Sequence, residues 1–320
     1  MVGIKKTKGK KAFSERKKKQ IIFYTSIVLL PIIQALICYV YVNLNSFILA
    51  FQKYSYKEDA LGINVAFAGF SNFVEAWGII QERAFMLGNS LQLAFWTVAM
   101  ELFLALLFSF YIYKKYPFSE VFRVVLFIPK ITSAVVFVII YKYLANEVFL
   151  EIANNILHVE PQLELGFLDN PATERAAIIF FCCWVGFGVN VLMFTGAMSG
   201  IDESIVESAH LDGTNLLQEF FFITVPMIWG TFVSFFVVAI TGIFTNQMHL
   251  HTFYGTAYTG RLSTFGFYLY SNAAQSEVIT TGIVPNFSVL SAIGLILTMI
   301  MLPITLIVRK LLNKYGPSTD

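Results

Sequence analysis

The residues of this sequence with the most evident chemistry lie in one polar segment, residues 200–227, which has long apolar runs on both sides. It contains no Lys or Arg and five acidic residues: Asp202, Glu203, Glu207, Asp212 and Glu219. A compact, turn-marked segment that stays outside the apolar runs is a candidate docking surface for a partner. No catalytic residue is predicted in it or elsewhere in the chain.

The first half of the segment predicts a short helix. Asp202 or Ser204 can cap its N-terminus, and Glu207 follows Ser204 at the capping-box spacing. Gly213 is predicted to end the helix, because termination there needs a positive φ, which glycine adopts without a Cβ clash. Apolar positions recur at four-residue intervals on one face: Ile201, Ile205 and Ala209.

The second half of the segment predicts another short helix. Thr214 or Asn215 can cap it, and Pro226 is predicted to end it. Its apolar positions are Leu216, Leu217, Phe220 and Phe221. Together the two halves predict a helix–turn–helix that lies at a membrane surface.

Four residues near or within the apolar runs are candidates for lining a pathway across the membrane: Trp184, Asn190, Asn246 and Gln247. Polar side chains are costly inside a bilayer, so those that occur there are functional candidates. The alternative is packing, since Asn and Gln also hydrogen-bond between neighbouring membrane helices. The sequence leaves both interpretations open.

Glu101 and Lys130 are the most unusual charges, because both lie inside apolar runs. They can form an ion pair if their side chains reach each other, or Lys130 can extend towards the inner surface. His249 and His251 are two residues apart and cannot share a helix face, which favours an interfacial role over a metal site.

No metal, disulfide or nucleotide site is predicted. The three cysteines, Cys38, Cys182 and Cys183, lie in apolar runs, and the two adjacent ones point in different directions along a helix. The only Gly-Lys pair, Gly9-Lys10, is followed by Lys11 rather than Ser or Thr, so there is no phosphate-binding loop. Any energy from ATP must therefore come from a partner.

The composition requires a membrane protein. The 320 residues are 57% hydrophobic and only 13% charged, with a mean hydropathy of +0.69, whereas soluble chains are about 25% charged. The apolar runs are continuous and about 20 residues long, as membrane-spanning helices require, while spanning strands would alternate over about ten residues. The predicted fold class is all-α and polytopic.

The apolar runs predict six membrane-spanning helices. Their approximate bounds are Ile21–Val42, Ala84–Tyr113, Val121–Leu144, Ala176–Ser199, Ile228–His249 and Pro285–Val308. The first run is longer than a signal-peptide core and has no suitable cleavage site, so it is predicted to be retained. The domains are a basic tail, 1–20, a transmembrane domain, 21–314, and a C-terminal tail, 315–320.

The distribution of Lys and Arg predicts that both termini are cytoplasmic. Nine of the first twenty residues are Lys or Arg, whereas residues 145–170 contain five acidic residues and neither cation. Lys114, Lys115 and Arg123 also lie in a predicted cytoplasmic connection. The basic tail is interpreted as a topology determinant that contacts anionic lipid, not as a nucleic-acid-binding arm.

The polar segment resembles the EAA signature of permease subunits of binding-protein-dependent ABC importers, E-A-A-x3-G-x9-I-x-L-P. The spacing is intact from Glu207 through Gly213 to Pro226. Ser208 and Val225 stand where the signature has Ala and Leu. Residues 122–146 and 263–273 are similar to stretches of the carbohydrate branch, the maltose and glycerol-phosphate type permeases, so the resemblance covers most of the chain.

The resemblance implies a type I ABC importer permease fold in the bacterial cytoplasmic membrane. The segment 200–227 would couple the chain to an ATPase through seven residues: Glu207, Ser208, Ala209, Asp212, Gly213, Ile223 and Pro226. The implied partners are a second homologous permease subunit, two ATPase subunits that bind ATP and Mg, and an extracellular solute-binding protein. The chain itself would hold no cofactor, and a carbohydrate, with an oligosaccharide favoured, would be the substrate.

Other classes predict different features. A plain interfacial connector has no reason to keep the Glu-Gly-Pro spacing. A secondary transporter would show a pseudo-repeat with broken helices at matching positions, which the sequence does not show. A membrane enzyme would gather His or acidic residues at one depth, and a non-transporting scaffold subunit would leave solute uptake independent of this chain.

Overall fold

The structure is a computed structural model that describes residues 15–317, except 57–62, 159–163, 257, 259 and 275–285. The lysines at positions 5–11, the predicted start of the last span at Pro285 and residues 318–320 lie outside the described residues. The single-segment helices are α2 (Ser71–Glu82), α3 (Ala84–Tyr113), α4 (Ser119–Ile131), α6 (Glu174–Met198), α7 (Glu203–Leu211), α9 (Trp229–Thr241), α10 (Leu250–Tyr254), α11 (Phe265–Ala274) and α12 (Phe287–Tyr315).

Three further helices contain π-helical turns. Helix α1 joins Glu15–Ala35, Leu36–Tyr41 and Val42–Ala50, α5 covers Ala134–Ile156, and α8 covers Leu216–Met227. Because α1 begins at Glu15, the end of the tail predicted over 1–20 is helical. The apolar stretch of α1 is exposed in the isolated chain, which leaves it free for lipid or for another subunit.

A small hairpin follows α1 and was not predicted. Strands β1 (Gln52–Tyr56) and β2 (Ile63–Phe67) pair antiparallel, with Gln52 opposite Phe67. The buried Asn72 of α2 fixes it to α1, because its Nδ2 donates to the carbonyls of Ala50 and Gln52, each at 2.9 Å. The other regular elements of the described residues are helices, as predicted.

Four helices in the described part of the chain are long and apolar enough to cross a bilayer: residues 17–50 of α1, then α3, α6 and α12. Two bent pairs bring the number to six if each counts as one span. The α4–α5 pair bends by 106° and the α8–α9 pair by 71°. The prediction of a continuous third span is therefore wrong in this respect, whereas the second bend lies at the first residue of the predicted fifth span.

The bends have local causes. Thr132 and Ser133 have extended ψ values of 146° and 128°, three residues after Pro129, which cannot donate a backbone hydrogen bond. The second bend lies at Ile228, two residues after Pro226. Helix α9 ends at Thr241, so the fifth span is helical over less of its length than the predicted Ile228–His249.

Close packing of α3 and α4 against α6 forms the centre of the molecule. Ser109 of α3 donates through Oγ to the carbonyl of Val191 at 3.0 Å. At Gly188 a Cβ would lie 2.3 Å from the Leu126 carbonyl oxygen of α4, so only glycine permits this approach. The packing brings Glu101 of α3 and Asn190 of α6 face to face.

Candidate functional site

Helix α7 begins with a charged cap. Asp202 is the N-cap, and its Oδ1 accepts hydrogen bonds from the Ser204 backbone N–H at 2.9 Å and from Ser204 Oγ at 2.8 Å. Of the two candidates predicted from the sequence, the structure selects Asp202. These two hydrogen bonds hold the pKa of Asp202 below its usual value, with the backbone bond the larger cause.

The cap gives a pH-dependent prediction. Because the folded-state pKa of Asp202 is lowered, its stabilising contribution is present above the unfolded value of 3.8 and is lost as the pH falls through the folded pKa. We expect Asp202→Ala to speed amide exchange at Ser204 several-fold at pH 7, and Asp202→Asn to keep the wild-type rate. Hydrogen exchange across α7 measures this. Equal protection in the Ala variant and wild type at pH 7 would contradict the assigned cap.

Gly213 ends α7 in a Schellman motif. Its φ is +81°, its N–H donates to the His210 carbonyl at 3.1 Å, and the Thr214 N–H donates to the Ala209 carbonyl at 3.1 Å. No atom lies within 4 Å of a Cβ added at Gly213. The requirement for glycine therefore comes from the backbone angle and not from crowding.

Helix α8 begins with a reciprocal capping box. Asn215 Oδ1 accepts from the Gln218 N–H, and Gln218 Oε1 accepts from the Asn215 N–H, both at 2.9 Å. The helix continues through Pro226 to Met227, so the predicted end at Pro226 is one residue early. Of the four predicted apolar positions only Phe220 is buried; the exposed ones are Leu216, Leu217 and Phe221.

The seven residues predicted to couple to an ATPase divide by exposure. Glu207, Ser208, Asp212 and Gly213 are exposed, whereas Ala209, Ile223 and Pro226 are half-buried. Next to Asp212, Leu211 leaves 89% of its surface exposed at the end of α7. The tip of the loop thus presents a large apolar side chain among exposed carboxylates. We call residues 200–227 the coupling loop below, after the role predicted for them.

Glu219 differs from the other acidic residues of the segment because it is buried, with 1% of its side chain exposed. Lys114 Nζ, just after α3, pairs with its Oε1, and His210 Nε2 lies 3.2 Å from its Oε2. Glu219 is therefore not part of the exposed face that the other acidic residues of the segment present. The only signal in the sequence was its place beside Phe220 in the apolar half of α8.

A polar cavity of about 350 Å³ lies between α3, α4, α6 and α9. It brings together Glu101, Lys130, Asn190 and Asn246, which are far apart in the sequence. Lys130 is next to last in α4, beside the bend at Thr132. Irregular backbone at membrane depth is tolerated where it lines such a cavity.

Glu101 pairs with Asn190 and not with Lys130. Asn190 Nδ2 donates to Glu101 Oε1 at 2.7 Å, and within the described ranges Glu101 has no cation within ion-pair distance. At Gly186 a Cβ would come within 2.8 Å of the Glu101 carboxylate. The possible ion pair with Lys130 is therefore not formed, and the two charges instead face the same cavity.

The other predicted pathway residues lie outside this wall. Trp184 packs edge-on against Phe137, with ring centroids 4.9 Å apart, and neither Trp184 nor Gln247 lines the cavity. Gln247 is half-buried, and its Oε1 has no hydrogen-bond partner among the described residues. The four candidates thus divide into two that line the cavity, Asn190 and Asn246, and two that do not.

Two features of the cavity were missed in the sequence. Thr97 lines it, and its buried Oγ1 has no hydrogen-bond partner in the described part of the chain. Met248 and His249, which also line it, have positive φ values of 51° and 57°. Asn246 Oδ1 accepts from the Met248 N–H at 2.9 Å and helps to hold this strained turn.

Sequence comparison finds related permeases but no matching family model. The chain is 26% identical over 291 residues to the arabinooligosaccharides transport system permease protein AraP of Bacillus subtilis (strain 168), covering 89% of this chain and 86% of the relative. It is also 26% identical over 262 residues to the inner membrane ABC transporter permease protein YcjO of Escherichia coli (strain K12), covering 79% and 83%.

Structural comparison finds the same fold in a bacterial ABC transporter involved in the import of the acidic polysaccharide alginate. The match has a TM-score of 0.63 at 19% identity, over 94% of this chain and 98% of the other. A second structure, of the alginate transporter in complex with an alginate pentasaccharide-bound periplasmic protein, matches with a TM-score of 0.64 at 19% identity. Both cover more than nine-tenths of each chain.

The permease relatives and the shared fold agree with the resemblance that the spacing from Glu207 through Gly213 to Pro226 indicated. The relatives are permease subunits, and the fold match extends over nearly the whole chain. This chain is a multi-pass protein of the bacterial cytoplasmic membrane, and over most of its length it is similar to permease subunits of carbohydrate ABC importers.

Proposed function

We propose that this chain forms half of the membrane pathway of an importer that passes a carbohydrate, with an oligosaccharide favoured, from an extracellular solute-binding protein into the cytoplasm. The relative AraP, named for arabinooligosaccharides, and the alginate transporter support this substrate class. A second homologous permease subunit supplies the other half. Two ATPase subunits bind ATP and Mg and drive transport, because this chain has no phosphate-binding loop of its own.

The coupling loop is the observation that carries the proposal. Its two helices are capped at Asp202 and Asn215 and joined by the Schellman turn at Gly213, so the tip has a defined shape. The exposed Leu211 can enter an apolar cleft on an ATPase subunit, while Glu207 and Asp212 meet basic groups at its rim.

The proposed orientation places both termini and the coupling loop in the cytoplasm. Lys17, Lys18 and Lys19 precede the apolar stretch of α1, and Arg309, Lys310 and Lys314 lie in the last turns of α12. Clustered cations at span ends mark the cytoplasmic side. The ATPase subunits are then on the same side as the loop that they contact.

The cavity is the proposed place where solute crosses this subunit. Glu101, Asn190 and Asn246 supply hydrogen-bonding groups in its wall, and Thr97 adds a buried hydroxyl without a partner in the described residues. Sugar hydroxyls both donate and accept, so they match a wall with carboxylate, amide and hydroxyl groups. Trp184 and Gln247, behind this wall, are proposed to contribute only after the helices move.

Uptake by the reconstituted complex tests the proposed function. The chain, its companion permease, the ATPase and the solute-binding protein are placed in proteoliposomes with ATP inside. Labelled arabino-, galacto- and malto-oligosaccharides and alginate oligosaccharides are supplied outside. We expect ATP-dependent accumulation of at least one of these, and none when the chain is omitted.

The alternatives give different results in the same assay. A scaffold subunit would leave accumulation unchanged when the chain is omitted. A secondary transporter would accumulate solute without ATP under an ion gradient. Failure of the ATPase to co-purify with the wild-type chain would contradict the coupling role itself.

A further inference from the structure

Glu219 is a buried acidic group that docking to an ATPase does not require. Its side chain is 1% exposed, and both carboxylate oxygens are inaccessible. Apart from the ion pairs with Lys114 and His210, these oxygens have no hydrogen-bond partner in the part of the chain that the structure describes. A buried carboxylate is costly unless it is paired, so the Lys114 ammonium must stay beside it.

The three groups come from three different elements. Lys114 is the C-cap of α3, His210 lies in the last turn of α7, and Glu219 lies in the first turn of α8. Lys114 is itself only 17% exposed, and its Nζ lies 5.8 Å from the ring centroid of Phe110. Phe110 packs edge-on against Phe220, with centroids 5.1 Å apart, so apolar contacts surround the ion pair.

The pair connects the coupling loop to the cavity wall. Glu101 lies thirteen residues before Lys114 in the same helix, about 20 Å along α3. The opposite wall, at Asn190, belongs to α6, which runs into the coupling loop directly. The Lys114–Glu219 pair joins the loop to α3 by charge, beside the apolar contact of Phe110 with Phe220.

We infer that Lys114 and Glu219 are positioning residues that fasten the coupling loop to α3, so that movement of the loop shifts both walls of the cavity together. This role rests on the proposed function, because it requires an ATPase to move the loop. Docking depends on the exposed tip at Leu211. Transmission depends on the buried pair, so the two can be separated by mutation.

The test follows accessibility of the cavity and needs no solute. The reporter is Val238→Cys, at a cavity-lining position that is 68% exposed, in a background with Cys38→Ser, Cys182→Ala and Cys183→Ala, because Cys182 lines the same cavity. Labelling by a membrane-impermeant maleimide is measured in the assembled complex before and after trapping with ATP and vanadate. Co-purification of the ATPase is measured in the same samples.

We expect trapping to change the labelling rate several-fold with the wild-type pair, and K114M and E219Q to lose this change while the ATPase still co-purifies. K114R, which keeps the positive charge, should retain the change in labelling rate. The double variant K114M/E219Q should be no worse than either single one, because both changes break the same pair. E120Q is the matched control, since it removes an exposed ion pair with Arg123 in the same connection.

Several outcomes would overturn the inference. A labelling change that survives in K114M and E219Q shows that the pair does not transmit movement. Loss of the ATPase from both variants and from K114R shows that the pair only maintains the fold. If the wild-type chain neither retains the ATPase nor changes its labelling, the proposed function fails, and that result is distinct from both of these.

Discussion

Replacing Gly213 with Val is expected to reduce uptake about tenfold or more. The residue at this position must hold a φ of +81°, which is unfavourable for any residue with a Cβ and more so for a β-branched one. A cost of about 1–2 kcal/mol lowers the population of the correct turn about five- to thirty-fold. Helix α8 then leaves the turn in the wrong direction, and the tip at Leu211 no longer presents one surface.

The chain offers two controls for this substitution. Gly213→Asn should retain most of the uptake, because Asn tolerates the left-handed region better than other non-glycine residues. Gly230→Val adds the same side chain within α9, at a glycine without a positive φ and with no atom within 4 Å of the added Cβ. We expect near-normal uptake and ATPase co-purification for both. Unchanged uptake and co-purification in Gly213→Val would remove the main support for the coupling role.

The membrane spans could be predicted because the bilayer requires each spanning helix to have a certain length and an apolar composition, and both can be recognised in a single stretch of sequence. The second span, Ala84–Tyr113, has the bounds that hydropathy predicts. The bends could not be predicted in the same way. Pro129 and Pro226 both lie within helical turns, so a proline in an apolar run does not by itself predict the extended backbone at Thr132 and Ser133 or the bend at Ile228.

In the coupling loop, too, the features that depend on nearby residues could be predicted and the one that depends on a distant residue could not. Its caps and the turn at Gly213 depend on residues within a few positions of each other, so the sequence could predict them. Glu219 depends on Lys114, 105 residues earlier, and no local pattern shows that pairing. The hairpin of β1 and β2 was missed because each strand has only five residues and no two-residue turn signal joins them, although Ile63, Val65 and Phe67 alternate.

The cavity is the feature that the sequence could predict least. Asn190 and Asn246 were identified by their polarity inside apolar runs, but the same reasoning also selected Trp184 and Gln247, which do not line it. Composition gives the cost of a polar group in the membrane but not the direction in which it points. Thr97 carries no sequence signal, because threonine is common in membrane helices and its hydroxyl usually bonds to the preceding turn.

Replacing Glu101 with Leu is expected to reduce uptake about tenfold while leaving ATPase co-purification intact. The change removes the acceptor for Asn190 Nδ2, now at 2.7 Å, and leaves that amide unpaired beside an apolar side chain. An unmet buried amide costs about 1–3 kcal/mol, and the cavity also loses an acceptor for solute hydroxyls. Glu101 lies far from the coupling loop, so docking should not change.

Glu101→Gln separates hydrogen bonding from charge. The amide oxygen of Gln can still accept from Asn190, so we expect uptake within about threefold of wild type if the site serves an uncharged carbohydrate. A loss as large as that of Glu101→Leu would instead mean that the carboxylate charge is required opposite Lys130 in the same cavity. Initial uptake rates over a range of solute concentrations distinguish the two results, since a lost solute contact raises the half-saturating concentration before it lowers the maximal rate.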